Sequence, residues 1–204
     1  MARGLFISFE GIDGVGKSTQ VRLLADYLAE QGRQVFCTRE PGGTELGDEI
    51  RALLLHGKGH VDARAEALLY AADRAQHVAL EIEPNLATGA DVITDRYLDS
   101  SVAYQGAGRE LGYDEVRALS MFAVKGLLPK LTVLLDLEAS AAAARLAGTE
   151  LDRLESEKLE FFEAVRQGFL TLAAAEPERW LILDASLPAE QLATAIRHRV
   201  SSLL

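Results

Sequence analysis

Short, continuous apolar runs recur along the chain at 5–9, 34–38, 91–94, 131–137 and 181–184. Each is rich in Val, Ile, Leu or Phe and lacks clean polar alternation, which predicts strands covered on both faces. Between them the apolar residues switch to helical spacing. Residues 18–31 carry Val21, Leu24 and Leu28 three and four apart and stop at Gly32, a residue type that ends helices through a left-handed backbone. The stretches 63–86, 114–124, 159–175 and 189–203 read the same way. Strands alternating with helices predict a parallel α/β sheet with right-handed crossovers, and such sheets bind ligands beyond the C-terminal ends of their strands. The patch 140–157 stays open. Its alanine-rich helix, Gly148-Thr149-Glu150 and following charged residues suit either a mobile lid or a surface helix hairpin.

The segment joining the first strand to the first helix changes the picture most. Gly11-Ile12-Asp13-Gly14-Val15-Gly16-Lys17-Ser18 matches G-x-x-x-x-G-K-[ST] in a strand–loop–helix setting, the signature of a phosphate-binding loop. Its glycines let the backbone close around an anion, with N–H groups and the helix N-terminus pointing inward. Lys17 would reach the β- and γ-phosphates and the Ser18 hydroxyl would ligate Mg²⁺. The chain is therefore expected to bind a nucleoside triphosphate in a three-layer P-loop NTPase fold, a central five-stranded parallel sheet flanked by helices. A single domain spanning 1–204 is expected, since no repeat, linker or second-domain boundary appears.

Composition narrows the partners. A net charge of −10 argues against nucleic acid, because backbone binding needs a basic face. It does not argue against small anions, since a few arginines converging on a cleft hold a nucleotide inside an acidic protein. No apolar run reaches the length of a membrane span. The first four residues lead into a strand and leave no room for a signal peptide, so a cytoplasmic enzyme without membrane partners is expected. The single cysteine, Cys37, ends an apolar segment and is expected to be a buried thiol.

Further chemistry sits at the strand ends. Thr38-Arg39-Glu40-Pro41-Gly42-Gly43-Thr44 follows the second strand and Asp95-Arg96-Tyr97 the third. An apolar strand ending in Asp95 is a Walker-B-like element able to hold Mg²⁺ directly or through water. Arg96 beside it needs a carboxylate or phosphate partner. For Arg39 the plain alternative is an ion pair with Glu40.

These motifs, with Ala72-Asp73-Arg74-Ala75, Ser100-Ser101, Ala103-Tyr104-Gln105, Leu151-Asp152-Arg153-Leu154-Glu155 and Phe161-Phe162, resemble bacterial thymidylate kinases of the nucleoside monophosphate kinase group nearly end to end. The resemblance implies ATP- and Mg²⁺-dependent phosphorylation of dTMP to dTDP, in dTTP biosynthesis, by a homodimer joined through helices. Gly11, Asp13, Gly14, Val15, Gly16, Lys17, Ser18 and Thr19 would hold ATP, with Arg145, Arg153 and, more weakly, Ser186 beside it. Ser18 and Asp95 would hold the metal. Arg39 and Arg96 would clamp the dTMP phosphate, with Glu40 in the same stretch, and Asp13 would hold the sugar 3′-hydroxyl. Tyr70 would lie against the base, Arg74 would donate to thymine O4, and Ser101 and Gln105 would meet the pyrimidine edge. Tyr104 would crowd out a ribose 2′-hydroxyl. Core packing for Tyr70 and helix capping for Ser100, Ser101 or Ser186 remain the alternatives.

Some thymidylate kinases carry an arginine immediately after the loop carboxylate, where this chain has Gly14. The resemblance therefore implies a compensating arginine from a lid at about 146–158, with Arg153 first and Arg145 the one survivor in the preceding helix. Lys17, Arg96, Arg153 and Asp13 form the expected catalytic set. Within the enzyme class, the alternative is a kinase for another pyrimidine nucleotide or deoxynucleoside. A nucleotide-dependent switch protein is more remote, because no guanine-reading Asn/Thr-Lys-x-Asp element follows a later strand.

Overall fold

A computed structural model of the chain describes residues 3–148 and 152–204. Met1, Ala2 and, in the expected lid, Thr149, Glu150 and Leu151 lie outside the described residues. Five strands, β1 (Phe6–Glu10), β2 (Val35–Arg39), β3 (Asp91–Asp95), β4 (Leu131–Asp136) and β5 (Trp180–Asp184), form one parallel sheet in the order β2-β3-β1-β4-β5. Helices flank it, giving the expected α/β P-loop kinase-like architecture. The register sets Phe9 and Arg39 on either side of Asp95. The loops leaving β1, β2 and β3 therefore emerge side by side, and this shared edge is where the site forms.

The inner strands β1, β3 and β4 are buried throughout their apolar positions, whereas β2 and β5 alternate between shielded and exposed residues. The expectation of strands covered on both faces thus fails at the two edges, where only one side has a neighbour. Cys37, on β2, is correspondingly exposed rather than buried.

Helix α1 (Lys17–Glu30) packs on α9 (Ala189–Ser201), where the Tyr27 hydroxyl meets Ser201 Oγ at 2.9 Å. A helix that the apolar spacing did not reveal, α2 (Glu45–His56), starts at Thr44, whose side chain accepts from the Gly47 N–H. The expected helix 63–86 divides into α3 (Ala63–His77), a π-helical turn at Val78–Ile82 and α4 (Glu83–Thr88). Pro84 has no N–H to continue an α-helical ladder, and the wider turn, closed by Glu83 N–H on Val78 O, carries the chain past it. After β3 come α5 (Leu98–Ser101) and a second π-helical segment, Val102–Gly108. This segment packs against α6 (Tyr113–Ala123) and α8 (Leu159–Ala175), and α7 (Ala139–Leu146) lies between β4 and α8 in the chain. The close approach depends on Gly168, where an added Cβ would stand 3.2 Å from Ala103 Cα.

Behind the site, Arg179 grips Asp99 with both terminal nitrogens, at 2.6 and 2.9 Å, and donates to Thr132 Oγ1 at 2.8 Å. Asp99 is fully buried. A bidentate, charge-assisted pair of this kind locks α5 to the β4–β5 side of the sheet.

Candidate active site

The phosphate loop takes its shape from three glycines with left-handed backbone, Gly11 (φ 132°), Gly14 (φ 82°) and Gly16 (φ 97°). At Gly11 an added Cβ would stand 2.6 Å from the Leu135 carbonyl oxygen; at Gly14 it would stand 2.8 Å from that of Ala142. Val15 turns into the core, so only its backbone faces a ligand. Lys17 is buried and its Nζ donates to the carbonyls of Gly11 (3.1 Å) and Ile12 (2.9 Å), with Asp13 Oδ1 at 3.6 Å. Burial and the nearby Arg96 charge lower its pKa. Ser18 Oγ donates to Asp95 Oδ2 at 2.9 Å, bringing together the two residues expected at the metal.

Arg96 joins this loop to the next cleft. Its φ of 72° is left-handed, a backbone that costs a non-glycine residue about 1–2 kcal/mol and that turns the side chain back from the end of β3. One terminal nitrogen donates to Gly11 O (2.9 Å) and Ser100 Oγ (3.1 Å), the other to Asp13 Oδ1 (2.6 Å) and the Tyr104 hydroxyl (3.0 Å). The Tyr104 ring lies under the guanidinium, 4.9 Å from its centroid. Burial alone would raise the Asp13 pKa. The Arg96 and Lys17 charges outweigh it and hold the carboxyl well below the usual carboxylate range. Ser100 Oγ in turn donates to buried Glu10 (2.6 Å), whose pKa rises to about 8 through burial and the Asp99 charge.

The wall opposite is one face of α3. Tyr70 lines the cleft and also closes an apolar cluster with Ile50, Leu54, Leu55 and Leu154, so its binding and packing readings coincide. Asp73 Oδ1 accepts the Gly42 N–H at 2.9 Å. Arg74 Nε donates to Glu40 Oε2 at 2.6 Å, and its Nη2 donates to Ser101 Oγ (3.1 Å) and Tyr97 O (3.3 Å). Its Nη1 is buried without a partner among the described residues, an unsatisfied donor. His77 completes the face, with Nδ1 3.0 Å from Glu40 Oε1 and Nε2 2.6 Å from Thr38 Oγ1. Glu40 thus pairs with Arg74 and His77, not with Arg39. The Arg39 side chain makes no hydrogen bond or ion pair among the described residues and lines the phosphate pocket with Lys17, Ser18, Thr19 and Asp95.

Two clefts result, sharing Asp13, Glu40, Arg51, Arg96 and Glu155. Asp13, Tyr70, Arg74, Arg96, Ser101, Tyr104 and Gln105 line one of them. Neither Ser100 nor Ser101 caps a helix; both side chains are spent on the arginines and Glu10. Arg145 reaches over the loop, 3.5 Å from Gly14 O and 2.8 Å from Ala185 O, while Ser186 is exposed beyond β5. Arg153 lies away from the phosphate loop. Its Nη2 donates to Glu66 Oε2 at 2.6 Å and its Nε to Leu54 O at 2.7 Å, on the acceptor side. Asp152 shapes that turn by accepting from the N–H groups of Leu154 and Glu155.

Arg51 and Glu66 were not singled out from the sequence. Arg51 faces both clefts and donates to Pro41 O at 2.9 Å; the signal that would have found it is the Thr44 cap followed by Ile50 and Leu54 at helical spacing. Glu66 stands four residues before Tyr70, on the same helix face.

Among known proteins, a family model described as thymidylate kinase matches residues 9–196. The chain is 60% identical to the thymidylate kinase of Clavibacter michiganensis subsp. michiganensis, over 98% of this chain and 96% of that one. It is 59% identical to that of Leifsonia xyli subsp. xyli (97% and 94%) and 50% identical to that of Cutibacterium acnes (98% of each). No helix among the described residues is long and apolar enough to cross a membrane.

Burial and the Glu40 charge raise the Asp73 pKa to about 7. A carboxyl whose folded pKa lies above its unfolded value near ~4 contributes stability below pH ~4 and loses it as pH rises towards 7. In Asp73→Asn the urea midpoint should therefore fall less steeply between pH 4 and 7 than in the parent chain. Identical slopes would remove Asp73 from the account.

Proposed function

The chain belongs to the thymidylate kinase family, and we propose that it transfers the γ-phosphoryl group of ATP to the 5′-phosphate of dTMP, giving dTDP for dTTP biosynthesis. The observation that carries this reading is the pair of clefts meeting at Asp13 and Arg96, one lined by a phosphate loop and one by Arg74 with an unspent buried donor. Phosphoryl transfer between two anions needs positive charge where the transferring group develops its own, together with exclusion of water. Lys17 exchanges its loop carbonyls for the γ-phosphate. Arg39, Arg51 and Arg96 surround the acceptor phosphate. Asp13 accepts from the sugar 3′-hydroxyl, Tyr104 sits beneath the sugar, and Tyr70 lies along the base. The Arg74 Nη1 donates to thymine O4, where cytosine presents an amine donor and leaves it unpaired. Arg145 and Ser186 border the adenine side.

Ser18 and Asp95 suit Mg²⁺, a hard cation that takes one or two protein oxygens and completes its shell with phosphate oxygens and water. Held by Ser18 and Asp95, it would neutralise charge on the bound phosphates. We read 146–158 as the lid and the location as cytoplasmic, with ATP and dTMP as partners and neither nucleic acid nor membrane among them. Leu68 on α3 and Phe122 on α6, 57% and 85% exposed, support a homodimer joined through those helices. Sedimentation as a monomer at micromolar concentration would count against that surface.

An ADP-release assay with ATP and Mg²⁺ across dTMP, dUMP, dCMP and thymidine tests the reaction. dTMP should be the preferred acceptor; preference for another pyrimidine nucleotide, or for unphosphorylated thymidine, would replace this reading. Arg153 joins the transferring phosphate on leaving Glu66. Arg153→Ala should accordingly lower kcat about 10²-fold with dTMP affinity by calorimetry retained. A near-normal kcat would confine Arg153 to the acceptor wall.

A further inference from the structure

Glu66 is fully buried behind Gln105, which lines the acceptor cleft, and accepts from three residues. Its Oε1 accepts from Gln105 Nε2 at 3.0 Å and Arg109 Nε at 3.2 Å, its Oε2 from Arg153 Nη2 at 2.6 Å and Arg109 Nη2 at 3.4 Å. Burial would raise its pKa, but these donors prevail and lower it, so the group is an ionised carboxylate. An ionised carboxylate only accepts. The Gln105 atom facing it is therefore the amide nitrogen. The other amide atom, Gln105 Oε1, accepts no hydrogen bond among the described residues, and Gln105 lines the cleft beside Arg74 and Ser101.

We infer that Glu66 is a positioning residue for base recognition: by holding the Gln105 amide nitrogen, it presents Gln105 Oε1 as the acceptor for the N3–H of a keto pyrimidine. The inference rests on reading this cleft as the thymine site. Gln105 Oε1 and the unpartnered Arg74 Nη1 form an acceptor–donor pair that matches N3–H and O4 of thymine. Cytosine reverses both positions, offering a lone pair at N3 and an amine at C4. A buried acceptor facing a lone pair loses its partner and is repelled. Released from Glu66, the Gln105 amide can rotate by half a turn and offer its NH₂ to cytosine N3.

The test is the ratio of kcat/KM for dTMP to that for dCMP. In Glu66→Gln, whose new amide can donate to or accept from Gln105, the ratio should fall about tenfold or more. In a Gln105→Met background, which has no amide to orient, the same substitution should change the ratio no further. Arg109→Met removes another partner of Glu66 without touching Gln105 and should leave the ratio unchanged. An unchanged ratio in Glu66→Gln, or an equal fall with and without Gln105, overturns the assignment. Should Glu66→Gln fail to fold by thermal melting, Glu66→Asp, whose shorter side chain no longer reaches the Gln105 amide, decides: a ratio that falls with Gln105 present but not in the Gln105→Met background supports the role, and an intact ratio rejects it. Absence of dTMP phosphorylation by the unsubstituted chain would refute the thymine reading itself. Normal dTMP phosphorylation with an intact ratio in the variants would refute only the part assigned to Glu66.

Discussion

One guanidinium holds the two halves of this site in register. Arg96 leaves β3 on a left-handed backbone and binds Gly11, Asp13, Ser100 and Tyr104 at once. A buried arginine must be met by acceptors on every side, because an unpaired charge in the interior is far costlier than the strain of one backbone angle. Asp13 is thereby kept ionised beside the glycine-rich loop, and Tyr104 is kept against the cleft lined by Arg74. The same cation borders both clefts.

The opposite wall follows a comparable logic along α3. Glu66, Tyr70, Asp73, Arg74 and His77 recur at intervals of three and four, so a single helix face serves both the loop after β2 and the cleft beside it. Glu40 is the joint between them, bonded to Arg74 on one oxygen and to His77 on the other. Two buried carboxyl side chains, Glu40 and Glu66, thus take the Arg74 Nε and the Gln105 amide nitrogen. What remains unspent on each is directed by what has been spent.

Much of this was readable in the sequence. The five strands and the helices α1, α3, α6, α8 and α9 followed from apolar spacing, because each buries a continuous stripe or run. Local pattern was insufficient where tertiary demands intervened. The edges of the sheet left Cys37 exposed, Pro84 converted part of a long helix into a π-turn, and the short α5 with its π-helical extension lacks a stripe of its own. In the site, motif residues that contact a neighbouring loop were legible, since strand ends identify them. Arg51 was missed because its helix was missed. Glu66 was missed because a carboxylate inside an amphipathic helix looks like a solvated position until its three distant donors converge. The position of Arg153 also depends on Glu66, and nothing in the Leu-Asp-Arg-Leu-Glu stretch announces that partner.

Gly14 has a consequence for how such a site can change over generations. Its position is closed by the Ala142 carbonyl and by Leu146 from α7, both within about 3 Å of any added side chain. An arginine introduced there by one codon change would meet a helix backbone before it could reach a phosphate. The alanine-rich α7 and the bare loop are therefore a matched pair, and a lineage that moved the charge into the loop would have to withdraw the helix first or simultaneously.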